Sequence, residues 1–525
     1  MSHLLTVSDV IASHARLFPA KVGARDSRRE LTFQAWDGRA TRLANALLAL
    51  GLTPGDRIAL LAYNCLEWME MYVALARAGL IAVPINFRLM PAEIAYIANH
   101  AGIRAMIVQN DLIDRIEPIR SDLGIEPGRL VQFGAPTPDG WRGYESLIDS
   151  APTTPPDVIV RAEDTFALIY TSGTTGRPKG AIRNHEGNAL IAFATAIEFR
   201  FSRRDTALLV MPMCHANSLY FSLTFIYLGA TIIIDDRKSF DPEALLATLA
   251  RERVTFTSLV PTHYIMMLGL PDAVKRRHDV SAVKKLLISS APARKDTKLA
   301  ILAHFSNSGL FELYGSSEAG WVTLLRPEEQ IERLGSVGRE WTGSGAIRIL
   351  DPDGREVPDG EVGELFSRTS YAFGGYWKNP EKTGEAFRGP WCSVGDMARR
   401  DADGFIHLVD RKSNMIISGG ENIYPSEVET VIGAHPHVKD VAVIGLPDPK
   451  WGEAVHAVVV LHDATADHRA VELDLLEWCK TRIARFKRPR SIAFVSDDEM
   501  PRTATGKILH RTLREQAATV ERLKR

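Results

Sequence analysis

Short apolar runs rich in β-branched residues alternate, along the first half of the chain, with stretches whose apolar residues recur every three or four positions. The runs at 57–62, 105–108, 166–169, 231–234 and 255–260 are apolar at nearly every position, as strands covered on both faces are. Between them, 40–50 and 242–253 carry the spacing of amphipathic helices. This alternation predicts a layered α/β architecture with much parallel sheet. The greasiest stretch, 221–234, is interrupted by Ser222, Thr224, Gly229 and Thr231. It is shorter than the roughly 20 residues needed to span a bilayer. It reads as buried core, and no integral membrane association is expected.

From about Gly335 the texture changes. Asp351-Pro-Asp-Gly354, Pro358-Asp-Gly360 and Asp401-Ala-Asp-Gly404 are closely spaced turn signals, predicting a small β-rich subdomain. After Arg411 a fresh α/β pattern starts: a helix after Pro425, strands at 441–444 and 457–461, and a helix at 471–483. The predicted fold is therefore a large N-terminal α/β domain over 1–412, including the β-rich part, and a small α+β domain over 413–525.

Composition adds exclusions. A chain of 525 residues is too long for one core. A formal net charge of −1 argues against nucleic-acid binding through bulk charge. Cys65, Cys214, Cys392 and Cys479 are scattered without a Cys-x-x-Cys pair, which suggests neither a disulfide framework nor a zinc site and points to the cytoplasm. The N-terminus has no basic n-region, and no secretory signal is read there.

The densest chemistry lies in Tyr170-Thr-Ser-Gly-Thr-Thr-Gly-Arg-Pro-Lys-Gly180. Hydroxyls, backbone N–H groups made approachable by glycine, and one lysine together suit a polyphosphate. The spacing is not that of a Walker A loop. Alone, the segment is either a phosphate cradle or an ordinary Ser/Thr/Gly turn. Further along come Ser289-Ser-Ala-Pro-Ala293 at a strand end and Tyr314-Gly-Ser-Ser-Glu318. The second offers a ring, a hydroxyl and a carboxylate, but equally reads as a capped helix start. Asp396 follows a glycine and is either a turn residue or an acceptor for two ribose hydroxyls. Lys507, in Pro501-Arg-Thr-Ala-Thr-Gly-Lys507, would ordinarily be a solvated lysine.

In order and spacing these segments resemble the class I adenylate-forming superfamily, specifically its AMP-binding acyl- and aryl-CoA synthetases, across essentially the whole chain. The resemblance implies an ATP-dependent ligase that makes an acyl-adenylate, releases pyrophosphate, and then passes the acyl group to coenzyme A with release of AMP. It implies that Thr171, Ser172, Gly173, Thr174, Thr175, Gly176 and Lys179 hold ATP phosphates. Ser290, Ala291, Pro292 and Tyr314 frame adenine, and Ser317 meets the α-phosphate. Glu318 is the Mg²⁺ carboxylate, Asp396 takes the ribose, and Arg411 is a further nucleotide contact. Lys507 is the catalytic lysine of adenylation, its cation offsetting charge between carboxylate and α-phosphate. Gly419 and Gly420 form the thiol tunnel of a rotating C-terminal domain, with Trp451, Arg88, Phe486 and Arg488 about coenzyme A. The hinge position is Ser413, where the family usually has aspartate or lysine, so no hinge salt bridge is available. Ser290 stands where glycine is common.

For the acid, the resemblance implies a pocket near His215, Tyr220, Gly320 and Trp321, with His215 beside the carboxylate and Gly320 leaving room for a longer chain. No Asp or Glu in 214–222 could pair an α-amino group, which disfavours amino acids. Fatty and aromatic acids are not separated. The expected partners are a small carboxylic acid, ATP and coenzyme A, with a lysine acetyltransferase acting on Lys507 and a homodimer also entertained. The alternatives are a stand-alone adenylation enzyme charging a carrier-protein thiol, and a nucleotide-binding regulator without catalysis.

Overall fold

A computed structural model describes residues 6–134, 136–171, 177–289, 293, 295–418, 421–503 and 506–523. Ser172, Gly173, Thr174, Thr175, Gly176, Ser290, Ala291, Pro292, Gly419 and Gly420 lie outside the described residues. The chain packs as two units, one of residues 1–346 with 367–392 and the other of 347–366 with 393–525.

The first unit is built on two sheets. In one, Leu130–Phe133, Ala105–Gln109, Arg57–Leu61, Ile81–Ile85 and Thr165–Thr171 run parallel in that spatial order, and Lys179–Asn184 closes one edge antiparallel. In the other, Gly309–Ser316, Lys285–Ser289, Phe256–Leu259, Thr206–Leu209, Thr231–Ile234 and Val22–Arg25 form the parallel centre, flanked by antiparallel strands Gly320–Leu325 and Glu30–Thr32. All five runs picked out by their apolar content are strands, covered on both faces as a parallel sheet requires. The two helical patterns correspond to helices Phe33–Ala49 and Pro242–Arg251, each of which ends one or two residues before its pattern does.

The greasiest stretch is a helix, Ala216–Leu228, followed by the strand Thr231–Ile234. Leu219, Tyr220, Phe221, Leu223, Phe225 and Ile226 are all buried, so the helix is apolar all round. Its hydroxyl residues do not interrupt it. Ser222 donates to the Ser218 carbonyl and Thr224 to the Tyr220 carbonyl, which satisfies them inside the core. Gly229, at φ +65°, ends the helix in the left-handed conformation. Among the described residues no helix is long and apolar enough to cross a membrane.

In the second unit, Val438–Asp448 and Gly452–Leu461 form a long antiparallel hairpin, joined by Ile416–Ser418 and, in parallel, Ser491–Phe494. Successive residues of the first strand feed opposite faces. Val441 and Val443 pack with Val428, Ile432 and Leu475, whereas Ala442 and Ile444 pack with Met500 and Leu513. Helices Pro425–Gly433 and His468–Lys480 thus cover one face and His510–Leu523 the other. The same unit holds the hairpin of Asp396–Arg400 and Ile406–Arg411 that the turn at Asp401–Gly404 predicts.

Candidate functional site

In the first unit the chemistry gathers where strand Thr165–Thr171 hands over to Lys179–Asn184. Thr171 and Lys179 are direct register partners at the mouth of that hairpin. The Thr171 hydroxyl donates to Glu318 Oε1 at 3.0 Å, and the Tyr376 hydroxyl donates to the same oxygen at 2.9 Å. Lys179 Nζ lies 4.2 Å from the centre of the Tyr376 ring. Glu318 and Lys179, from two separate motifs, therefore meet an aromatic that the sequence reading missed, and Thr171 joins them through Glu318. Tyr376 belongs to an irregular segment laid along the sheet edge: Trp377 N–H donates to the Gly180 carbonyl, Gly374 N–H donates to the Ile182 carbonyl, and Ile182 N–H donates to the Gly375 carbonyl. Its only signal in the sequence is the run Gly374-Gly-Tyr-Trp377.

Tyr314-Gly-Ser-Ser-Glu318 does not start a helix. The strand continues to Ser316, turns, and returns antiparallel as Gly320–Leu325. Ser316 Oγ accepts the Ala319 N–H at 2.9 Å and shapes the turn. Gly315 is required there, since a Cβ would stand 2.4 Å from the Gly320 carbonyl oxygen. The turn presents Glu318 buried, its backbone oxygen taking the Phe373 N–H at 2.7 Å. Ser317 accepts at its carbonyl from the Tyr220 hydroxyl, at 3.4 Å.

Glu318 fits a magnesium ligand within limits. Among the described residues no group of three or more His, Cys, Asp and Glu is arranged to hold a metal. A lone carboxylate is nonetheless what Mg²⁺ uses when substrate phosphates and water complete its shell. Two hydroxyl donors on Oε1 leave acceptor capacity at the second oxygen. The metal would neutralise phosphate charge, and Thr171 and Tyr376 would orient the carboxylate toward it.

Tyr220 and Trp321 meet edge to face at 5.1 Å, and the Arg183 guanidinium lies 5.1 Å from the Tyr220 ring. Trp321 Nε1 donates to Thr195 Oγ1 at 3.0 Å, and both rings are buried. One expectation is corrected here: Gly320 does not leave space for a longer acyl chain. It sits at φ +72°, and a Cβ would stand 2.7 Å from Tyr371 and 3.1 Å from Ile191, so that space is already filled. Glycine serves the backbone conformation and the Tyr371 contact.

His215 is the residue before helix Ala216–Leu228. It is half-buried as a whole, but Nε2 is enclosed without a hydrogen-bond partner. Desolvation, with Arg88 adding to it, pushes its pKa down to about 4, so the imidazole is neutral at pH 7. A second such histidine went unnoticed in the sequence. His263 stacks on Phe240 at 4.1 Å, has an enclosed Nδ1, and is likewise pushed to about 4 by burial and then Arg88. Arg88 itself is exposed, so it serves both histidines from the surface.

In the second unit, Asp396 and Arg411 are register partners, with Arg411 Nε donating to Asp396 Oδ1 at 3.1 Å. Lys507 sits on a closed loop: Thr503 N–H donates to the Lys507 carbonyl at 2.7 Å, Lys507 N–H donates to Thr503 Oγ1 at 3.1 Å, and Leu509 N–H donates to Pro501 O at 2.8 Å. Its side chain keeps exposed surface, yet enough protein crowds the amine for desolvation to lower its pKa. Arg411 lowers it further, while Asp396 and Asp410 pull it back up. The structure thus brings Lys507, Asp396 and Arg411 into one electrostatic group.

Trp451 has the Arg490 guanidinium 4.6 Å from its ring centre and Lys450 Nζ at 5.0 Å. Arg488 is engaged elsewhere, donating from Nε to Ile483 O at 3.1 Å and from Nη2 to Lys480 O at 2.8 Å, where it braces a helix end. Phe486 is exposed. Ser413 is exposed, and its carbonyl accepts from Arg514 Nη1 at 3.2 Å, next to an Arg514 Nη2 bond to Asn414 O at 2.7 Å.

The sequence matches AMP-binding enzymes over residues 11–377 and the AMP-binding enzyme C-terminal domain over 427–507. It is 36% identical over 500 residues to a feruloyl-CoA synthase of an Amycolatopsis species, covering 94% of this chain and 96% of that one. It is 35% identical to a long-chain-fatty-acid–CoA ligase of Mycobacterium tuberculosis, covering 93% and 94%. Its fold superposes with a TM-score of 0.90, at 28% identity and 99% coverage of both chains, on an anthranilate CoA ligase in complex with anthranoyl-AMP. These matches bring in small-molecule acids and nucleotides as partners. They give no footing to the acetyltransferase expected at Lys507, and that expectation is withdrawn. With a large N-terminal α/β part, a smaller α+β part and both family matches in order, the chain belongs to the AMP-binding enzyme family of adenylate-forming acid–thiol ligases.

Proposed function

We propose that this chain joins a compact hydrophobic acid, of aryl type, to coenzyme A through an acyl-adenylate. The observation that carries the reading is the meeting of Thr171, Lys179 and Glu318 about Tyr376, which sets hydroxyl, cation and carboxylate for a magnesium-bound triphosphate. Asp396 and Arg411 supply the ribose and a further nucleotide contact. Lys507 acts as a cation between the incoming carboxylate and the α-phosphate; no general base is needed, because the nucleophile is already anionic. The neutral His215 lets the carboxylate and later the thiol pass without forming an ion pair that would trap them. The space at Gly320 is filled by Tyr371 and Ile191, and Tyr220 and Trp321 pack edge to face nearby in the chain, which favours a ring over an extended chain.

For the second half-reaction, Trp451 with Arg490 and Lys450 suits a stacked base and its phosphates, with Arg88 and Phe486 as further contacts. Residues 413–525 turn as a body about Ser413 between the two steps, within a cytoplasmic enzyme. The test is coenzyme-A-dependent release of AMP across substituted benzoates, cinnamates and straight-chain acids of graded length. Higher kcat/KM for the aryl acids is expected. A maximum among long straight chains would overturn the acid class, and AMP release with a carrier protein but not with coenzyme A would overturn the acceptor.

A further inference from the structure

Lys507 bonds through its backbone only. Among the described residues no hydrogen bond or ion pair holds its amine, so the loop that carries it decides where the cation stands. That loop is closed at its neck. Arg502 and Ile508 form an antiparallel bridge, Gly506 turns at φ +82°, and its N–H donates to the Thr503 carbonyl at 2.9 Å. Each side of the neck is tied to one strand, Val438–Asp448, which lies at the edge of its sheet. On the entering side Arg502 Nη2 donates to Asp440 Oδ2 at 2.6 Å, with Asp497 Oδ1 at 3.3 Å. On the leaving side His510 Nε2 donates to Glu429 Oε1 at 2.6 Å, and the same oxygen accepts the Val443 N–H at 2.8 Å. Three positions separate Asp440 from Val443, so both feet stand within about 10 Å of each other on one strand.

Stability does not account for the two pairs. Their side chains are between 15 and 35% exposed, and ion pairs open to solvent contribute only about 0–1 kcal/mol. What two anchors do, and one cannot, is stop the loop from swinging about its neck. Resting on the ligase reading above, we propose that Arg502 and His510, through Asp440 and Glu429, are positioning residues that hold Lys507 in place for adenylation and take no part in the thioester step. A cation stabilises a transition state only where the charge develops, and a displacement of about 1 Å can cost a hundredfold in rate. The same two feet keep the amine crowded and beside Arg411 and Asp396, the setting that lowers its pKa.

The test compares the parent with Arg502→Met and His510→Leu, which each cut one foot, with the double variant, and with Glu429→Gln, which keeps an oxygen for both donors. Acid-dependent pyrophosphate exchange gives kcat and KM for ATP, and transfer from a supplied acyl-adenylate to coenzyme A isolates the second step. Labelling of Lys507 by acetic anhydride at graded pH, read by peptide mass spectrometry, follows the amine without turnover. Each single variant should lower kcat for exchange about tenfold and the double variant about a hundredfold, with KM for ATP and the second step within about twofold of the parent. The pH of half-maximal labelling should rise in all three, because an amine released into water returns to the usual lysine range. Glu429→Gln should keep most of the exchange rate. A loss of kcat matched by an equal rise in KM for ATP or an equal loss in the second step overturns the proposal. So does a labelling profile that stays at the parental pH, or a Glu429→Gln variant as slow as His510→Leu. If Arg502→Met does not fold, His510→Leu, which leaves the Val443 bond to Glu429 intact, decides alone. A parent without acid-dependent exchange sinks the ligase reading itself, whereas the labelling profile still reports the two feet, so the two failures are distinct.

Discussion

Arg411 reaches its register partner Asp396 across the hairpin, Nε to Oδ1 at 3.1 Å, and both act on the Lys507 amine with opposite sign. Desolvation and then Arg411 destabilise the ammonium; Asp396 and Asp410 favour it. If adenylation needs the cation, it fails as pH rises through this lowered pKa. Removing a positive neighbour moves that failure to higher pH, and removing a negative one moves it lower. Arg411→Met should therefore shift the alkaline limb of pyrophosphate exchange upward and Asp396→Asn should shift it downward. The position of the limb is the readout, because both variants also change nucleotide affinity and hence the height of the profile. Shifts in the same direction would remove Lys507 from the titration.

Lys507→Ala tests the same cation by deletion. Loss of one preorganised charge at a developing transition-state charge costs roughly 10²–10³ in kcat. That loss should fall on adenylation alone. Transfer from a supplied acyl-adenylate to coenzyme A should stay within about threefold of the parent. Stopped-flow measurement of each half-reaction checks it, and equal losses would contradict the role.

Tyr376 has two separable functions, a hydroxyl on Glu318 and a ring face under Lys179. Tyr376→Phe removes the first and keeps the second; Tyr376→Ala removes both. A hydrogen bond to a charged group is worth about 1.5–3 kcal/mol. The Phe variant should raise the magnesium concentration for half-maximal exchange by about tenfold at fixed ATP. The Ala variant should also raise KM for ATP. Magnesium titrations of initial rate distinguish them, and a Phe variant indistinguishable from the parent would dissociate the hydroxyl from metal handling.

At Gly320 the expectation is a structural one. Alanine there must adopt φ +72° with Tyr371 2.7 Å from its Cβ. The backbone term and the steric one each cost on the order of 1–3 kcal/mol. Gly320→Ala should lower the denaturation midpoint of the first unit, and Tyr371→Leu introduced beside it should recover part of the loss. Activity on longer acids should not improve in either variant.

Much of the fold was legible because strands buried on both faces and amphipathic helices leave different periods in the sequence. The runs at 231–234 and 255–260 and the helix around 242–253 needed no tertiary information. The roles given to Glu318 and Lys507 came with the family resemblance, since alone their motifs read equally as a capped helix start and a solvated lysine. Tyr376 was not legible, since it acts by being laid along a sheet edge nearly two hundred positions from Lys179. Gly320 misled for a related reason: a glycine in a pocket motif reads as space, whereas its positive φ and the Tyr371 ring emerge only once residues 320 and 371 pack together. Arg488 and Arg490 are alike in composition, and only the end of helix His468–Lys480 decides which is taken up by backbone carbonyls and which faces Trp451.

Arg514 gives the last prediction. Its guanidinium bonds the carbonyls of Ser413 and Asn414, at 3.2 and 2.7 Å, from the C-terminal helix His510–Leu523. Asn414 is held a second time, Nδ2 to Asp410 Oδ1 at 3.1 Å. Serine at 413 cannot form a side-chain ion pair, so at the proposed pivot this clamp adds to the backbone bonds from Lys412 N–H to Gly395 O and from Asn414 N–H to Arg411 O. A pivot needs only a few φ/ψ changes, and bonds that must break for them add to its barrier. Arg514→Met removes both carbonyl bonds, and two net hydrogen bonds amount to about 1–3 kcal/mol. It should speed the change between half-reactions, seen as a shorter lag between pyrophosphate release and thioester formation, by roughly tenfold where that step limits turnover. Arg514→Lys, with a single donor group in place of the planar fork, should fall between the two. An unaltered lag together with a lowered unfolding midpoint would reduce Arg514 to a brace for the C-terminal helix.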